Sequence, residues 1–344
     1  MPYKVCVDDI ERKEWEKQAK GFADYSIYQT WPYQQVRGEM DDQEISRVLI
    51  KDDSGQAMLM AHVRIKRIKP LGLRIGYVQW GPLIRGLDGK LRCSIQALDA
   101  FRRAYVGTRV NVLRIVPNVR NDEISRDFSE MLVKCGFRHV KYALPYRTFA
   151  LWVGDSEEGI RERLHKSFRR DLRYGQKAGV QIRQGHDESL FETLEKLYDD
   201  AKLRKGFTGV DLQQFTKPQH TLSCDEKMKV LAAYHEGEPV AAYLASDLGD
   251  TCLVLVVACD EKAFACFASY VLWYQGAVSA CKTGMKWCDL GGIDPDENRN
   301  VYLFKSRMAP KDICYIGAFE AYSSLCARLM WYVPGKIHSL TRSR

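Results

Sequence analysis

Two hydrophobic periodicities alternate along this chain, and the order of their alternation occurs twice. Val48-Leu49-Ile50 is a short apolar run, Asp52-Asp53-Ser54-Gly55 interrupts it, and Met58 to Val63 resumes it, which predicts a β-hairpin. Lys229 to Ser246 repeats the pattern with Val230-Leu231-Ala232-Ala233, a turn at His235-Glu236-Gly237-Glu238, and Val240 to Leu244. A third strand is expected after each hairpin, over Ile75 to Trp80 and Thr251 to Ala258. Apolar residues at helical spacing follow, over Ser94 to Ala104 and Phe267 to Ala280, and each copy returns to a strand at Val110 to Val116 or Met285 to Leu290. Helical patterns also precede each hairpin: Glu11 to Ala23 with Trp31 to Glu39, and Glu188 to Lys205 with Leu212 to Phe215. Helix, helix, three strands, helix and strand thus recur about 180 residues apart.

At 344 residues the chain is long enough for two domains, so each copy can be a unit with its own core. Its 46% apolar and 28% charged residues exclude disorder and fibre as the main state. The longest apolar run, Cys252 to Cys259, falls far short of the roughly 20 residues that cross a bilayer. Met1 to Lys17 mixes acids and bases without a secretory apolar core, so a cytoplasmic protein without a transmembrane segment is expected. Eleven cysteines, an odd number with no Cys-x-x-Cys pair, read as reduced core residues. No two histidines are spaced i and i+4, and no metal site is expected.

Lys and Arg exceed Asp and Glu by 52 to 44, a net +8. The excess is concentrated between Arg161 and Arg183, where eight bases, Arg169, Arg170 and Arg173 among them, meet only Glu162 and Asp171. That run is either a polyanion-binding surface or one solvated helix face.

The most unusual local sequence is Trp287-Cys288-Asp289-Leu290-Gly291-Gly292-Ile293-Asp294-Pro295, followed by Val301-Tyr302-Leu303-Phe304-Lys305. Paired glycines directly after a strand serve a close backbone approach or a positive φ, or simply a tight strand exit.

The doubled element order resembles the GNAT acyltransferase fold, which implies an α/β chain of two tandem GNAT-like domains with mixed sheets. GNAT enzymes that use acyl-CoA resemble one another in a glycine-bearing loop whose N–H groups cradle pyrophosphate. The corresponding stretches here, Trp80 to Gly86 and Ala258 to Phe264, lack those glycines, and Asp260-Glu261 would repel phosphate. A coenzyme A donor is disfavoured.

Asp289-Leu290-Gly291-Gly292-Ile293-Asp294-Pro295 with Tyr302-x-Phe304-Lys305 closely resembles the signature of the Fem family, the peptidyltransferases that build interpeptide bridges in bacterial cell walls. Arg169 to Val180 resembles the family's basic helix, and Trp31 to Arg37 its N-terminal Trp-x-x-x-x-Val-Lys stretch, with Arg37 in place of Lys. Gly81-Pro82 and Val112 to Pro117 fit its first-domain strand ends. The chain looks like the arm-free, FemX-like type, because Lys205 to Lys229 leaves no room for an inserted helical arm. The implied domains are 1–147, completed by 317–344, and 148–316.

The resemblance also implies a reaction. An aminoacyl-tRNA is the donor substrate, an amine attacks its ester to give an amide, and no other cofactor is required. Lys305 is the candidate to stabilise the tetrahedral oxyanion. Phe304 and Tyr302 are candidates to meet the donor's terminal adenosine or to fill the core. Asp289 and Asp294 either orient the attacking ammonium or accept its proton, with Asp289 the catalytic candidate beside Lys305, or cap the glycine loop, to which Gly291 and Gly292 give backbone freedom. Arg169, Arg170 and Arg173 would hold tRNA phosphates, and Arg37 with Trp31 would serve an acceptor, either a peptidoglycan precursor or a small amine of a natural-product pathway. The second-domain arginine of cell-wall members is missing from Lys205 to Asp211, and Val116 replaces an acid common in the family. Two other readings compete: an N-acyltransferase using acyl-CoA or acyl carrier protein, and a non-catalytic GNAT-like binding module.

Overall fold

Met1–Tyr146 with Cys314–Arg344 forms one unit, and Arg147–Ile313 forms the other. The computed structural model describes residues 3–309 and 311–342.

The first unit begins with β1 (Lys4–Val7), α1 (Arg12–Ala19) and α2 (Trp31–Asp41), then the meander β2 (Glu44–Lys51), β3 (Ala57–Ile68) and β4 (Leu73–Gln79). At the β2–β3 turn the Asp52 carboxylate accepts the N–H groups of Ser54 at 2.9 Å and Gln56 at 3.0 Å, while Gly55 takes φ +82°. The chain reverses there because a short acid replaces the missing backbone partners and glycine tolerates the left-handed step. Next come α3 (Ile95–Tyr105), capped by the Ser94 hydroxyl on Ala97 N–H at 3.2 Å, then β5 (Val112–Val116), α4 (Glu123–Lys134) and β6 (Arg138–His139).

The second unit runs β7 (Arg147–Trp152), α5 (Glu157–Arg163), α6 (Lys166–Lys177), β8 (Gln181–Gly185), α7 (Glu188–Lys205) and α8 (Gln213–Gln219). It continues with β9 (Lys229–His235), β10 (Glu238–Leu248), β11 (Thr251–Cys259), α9 (Lys262–Ala265), α10 (Ala268–Lys282), β12 (Trp287–Gly292), α11 (Arg299–Ser306) and β13 (Asp312–Cys314). The chain then returns to the first unit with β14 (Phe319–Tyr322) and α12 (Leu325–Arg342).

Each unit holds one seven-stranded mixed sheet, ordered β1-β2-β3-β4-β5-β14-β6 and β8-β9-β10-β11-β12-β7-β13. The orders correspond strand for strand. In both, the fourth and fifth strands are parallel neighbours, β4 with β5 and β11 with β12. In both, the sixth strand comes from a distant part of the chain and pairs antiparallel. These are two GNAT-like domains.

One sheet face in each unit carries the main core. In the first, Val48, Leu59, Val63 and Leu113 pack with Leu98 and Phe101 of α3 and Phe128 of α4. In the second, Leu231, Tyr243, Val254 and Leu290 pack with Phe168 of α6 and Leu272 of α10. Burying such side chains contributes about 1.5–3 kcal/mol each, enough to fix the strand register.

Candidate functional site

The basic run divides over α5, α6 and β8 rather than forming one helix. Leu164 and His165 separate the two helices, and His165 caps the second through Nδ1, which accepts Ser167 N–H at 3.3 Å. On α6, Arg170 and Arg173 are exposed, Arg169 is half-buried, and Phe168, Asp171 and Leu172 face inward. Arg170 donates to the buried carboxylate of Asp171 at 2.8 Å. The inward face carries α6 to the signature residues, because Phe168 packs on Phe304 with ring centroids 5.7 Å apart.

Lys305 sits on α11 and is buried, only 6% exposed. Asn298 starts that helix by accepting Val301 N–H. Seven residues on, Lys305 points back at the end of β12, where its ammonium donates to the carbonyls of Gly291 at 3.0 Å and Gly292 at 2.9 Å. Two of its three N–H groups are used, and the third has no hydrogen-bond partner among the described residues. The Trp273 ring centroid lies 5.9 Å from the ammonium. Burial pulls the lysine down to about 8, and the Asp289 carboxylate opposes that shift. The side chain is therefore mostly an ammonium at neutral pH, held where water is scarce.

Asp289 is fully buried. Its Oδ1 accepts the Thr148 hydroxyl at 2.6 Å and Gly291 N–H at 2.9 Å. Both contacts hold the loop. The carboxylate fixes the bend that aims both glycine carbonyls at Lys305 and supplies a counter-charge behind them. Gly291 has φ +80°, and a Cβ there would lie 3.2 Å from Val254 O and 3.5 Å from the Lys305 Nζ. The glycine serves both backbone conformation and close approach. Asp294 is exposed, and its Oδ1 accepts Asp296 N–H at 3.0 Å and Glu297 N–H at 2.9 Å, so it too caps a turn.

Phe304 is half-buried among Phe168, Tyr270 at 5.1 Å and Trp273 at 6.1 Å. Tyr302 stacks against Phe149 at 5.2 Å, and its hydroxyl lies 3.4 Å from Asp312 Oδ2, which also accepts from Arg147 at 2.8 Å. The fold thus gathers Asp289, Gly291, Gly292, Tyr302, Phe304 and Lys305 at one end of β12, with α6 beside Phe304. Sequence reasoning missed Thr148, Tyr270 and Trp273. Thr148 carries no local signal, since its partner lies 141 residues away. The two aromatics stand in a helix that reads as ordinary core.

Trp31 and Arg37 stand on α2 of the first unit. Arg37 is paired with Asp41 one turn on, at 2.6 Å. Trp31 lies under the Arg47 guanidinium, 3.5 Å from its ring centroid, and edge-on to Trp15. Burial pulls Arg47 down to about 10. Two cavities, about 690 and 340 Å³, are lined by first-unit residues such as Tyr315 and Phe319 in one and Gln35 and Arg47 in the other.

The model of the FemAB family matches residues 211–327, a span that contains β12, the double glycine and Lys305. Over that span the chain resembles the FemAB family. Its fold is similar to the crystal structure of FemX, with a TM-score of 0.78 at 15% identity, covering 92% of this chain and 97% of that one. A conserved protein of unknown function from Bacteroides thetaiotaomicron matches with a TM-score of 0.59 at 10% identity over 93% of this chain and 99% of that one. L-PGS from Bacillus licheniformis matches with a TM-score of 0.51 at 14% identity over 89% and 90%. No curated protein sequence matches this chain. At such identities the structural likenesses establish the fold alone.

Proposed function

We propose that this protein is a Fem-type enzyme that transfers an amino acid from aminoacyl-tRNA to an amine acceptor, with Lys305 as the group that stabilises the reaction's charge. The observation that carries the reading is the buried ammonium held by two glycine carbonyls with one N–H left over. Attack by an uncharged amine forms a C–N bond and moves negative charge onto the former carbonyl oxygen. The intermediate then breaks the ester C–O bond, and the proton shed by nitrogen ends on the departing ribose oxygen. The ester supplies the driving force, so the protein's task is to position the reactants and to answer the transient oxyanion. A preset ammonium in a poorly solvated site does this with little reorganisation. Asp289 acts as a positioning residue, because its carboxylate is shut behind the glycine bend.

The half-buried Phe304 offers a partly open ring on which the terminal adenine can stack, worth about 1–3 kcal/mol. The exposed guanidinium groups of Arg170 and Arg173 suit acceptor-stem phosphates. The acceptor is either a peptidoglycan-precursor peptide or a small-molecule amine, and Arg37 enters only if it exchanges Asp41 for that substrate. A coenzyme A donor is the weaker reading, since the Asp260 carboxylate already occupies the N-terminal amide of α9, accepting Ala263 N–H at 2.9 Å. A pyrophosphate would have to displace it.

Incubating the protein with pooled aminoacyl-tRNAs and candidate amines tests the reading: deacylation should depend on the amine, while acyl-CoA should release no thiol. The double substitution Arg169→Gln, Arg170→Gln should weaken tRNA affinity and flatten its salt dependence. Affinity unchanged at low and moderate salt would remove α6 from the tRNA interface.

A further inference from the structure

We propose that α12 and the β3–β4 turn form a docking face for an anionic lipid surface. Ala327 and Trp331 point into the first unit, where they are buried with Leu73, Ile75 and Val112, and Ile68 and Leu71 of the turn pack against the same cluster. On the opposite side of α12 the large aliphatic side chains are left open to solvent among the described residues. Leu325, Leu329 and Val333, at successive i, i+4 positions, are 73%, 76% and 62% exposed, and Tyr332 beside them is also exposed. Three large aliphatic side chains in a row on a helix already anchored by its other face cost solvation and contribute nothing to the unit's own core.

Charge identifies the occupant. From Ala321 to Val333 the sequence has no Asp or Glu, against Arg328, which is exposed. The packed turn belongs to a second acid-free stretch, Ala57 to Leu87; Lys66, at the end of β3 and paired with Ile75 on the sheet face that α12 covers, and Lys69 in the turn are both exposed. Neither enters an ion pair among the described residues, whereas Arg74 nearby is paired with Glu44 at 3.3 Å. An apolar stripe flanked by unpaired cations is the pattern of a helix lying in the plane of a membrane, aliphatic side chains among the acyl chains and bases among anionic headgroups. A nucleic acid would use the cations and leave the leucines in water. A second copy of this chain would bring like charges together across a two-fold axis.

Flotation of the full chain with vesicles tests the face. It should rise with phosphatidylcholine–phosphatidylglycerol vesicles, stay down with phosphatidylcholine alone, and lose binding as salt increases. Leu329→Glu should lower partition tenfold or more, and Lys69→Gln about fivefold, the factor for about 1 kcal/mol per surface-bound base. All these side chains are exposed, so the variants should keep the parent circular dichroism; Leu329→Ala, with a smaller loss in the same direction, guards against a folding defect. Equal binding to neutral vesicles, no flotation, or indifference to both Leu329 variants would overturn the proposal. So would a dimer in sedimentation that Leu329→Glu dissociates, or binding to RNA that competes the chain off vesicles but ignores Leu329.

Discussion

The parallel strand pair at the centre of each sheet follows the same plan, yet it is closed in one unit and parted in the other. β4 and β5 stay in register from Ile75↔Val112 to Gln79↔Val116. β11 and β12 pair only from Thr251↔Trp287 to Leu253↔Asp289, and a bulge at Leu255 shifts the register of β10 against β11. Both pairs have a buried cation nearby. In the closed pair, Arg114 on β5 donates to Glu320 on β14 at 2.6 Å, and Glu320 also accepts Trp331 Nε1–H at 2.8 Å and the Tyr322 hydroxyl. In the parted pair, Lys305 answers backbone carbonyls and keeps a donor in reserve. The same sheet plan thus commits a buried charge to cohesion in one copy and leaves one with an open donor in the other.

Breaking the closed side should give the largest effect. Glu320→Ala leaves Arg114 buried without its counter-charge, and urea unfolding should register a loss of about 3–5 kcal/mol. On the parted side the cost should fall on rate. Lys305→Met should slow amine-dependent deacylation in single turnover about 10²- to 10³-fold. Its unfolding midpoint should hold or rise, because a buried charge has been removed; a large drop would mean that Lys305 is a strut like Arg114.

Gly291→Ala tests the bend itself. A methyl group at φ +80°, 3.2 Å from Val254 O, should cost about 1–3 kcal/mol in unfolding and should displace the carbonyl that holds Lys305. The smallest change is in pH. Burial favours the neutral amine and lowers the folded value to about 8, so the rate should fall as pH rises through about 8, where the ammonium is lost. The same shift makes stability rise with pH between that value and the ordinary lysine range, because the unfolded chain then holds more protons. A rate profile that stays flat through pH 9 would detach the chemistry from this lysine.

Hairpins, flanking helices and the doubled order were legible because each rests on local periodicity. Val48 to Val63 and Val230 to Leu244 state their turns and faces within a few residues. β7 and β14 were not legible, since each is completed by a distant partner: Ala150 pairs with Asp289, and Glu320 with Arg114. The double-glycine motif announced the place of the site but not its depth. No pattern of neighbours reveals that Lys305, after the exposed Val301 and Leu303, turns inward. Nor does it reveal that a threonine at the start of the second unit holds the acid beside it.

The late arrival of β14 has a consequence for synthesis on the ribosome. While residues up to Ile313 emerge, the second unit has all of its own strands except the last residue of β13, but the first still lacks its sixth, and Arg114 waits without Glu320. The unit begun first is finished last, so a transcript cut short just past Ile313 would yield a nearly whole second sheet attached to an N-terminal half with an unanswered charge in its interior.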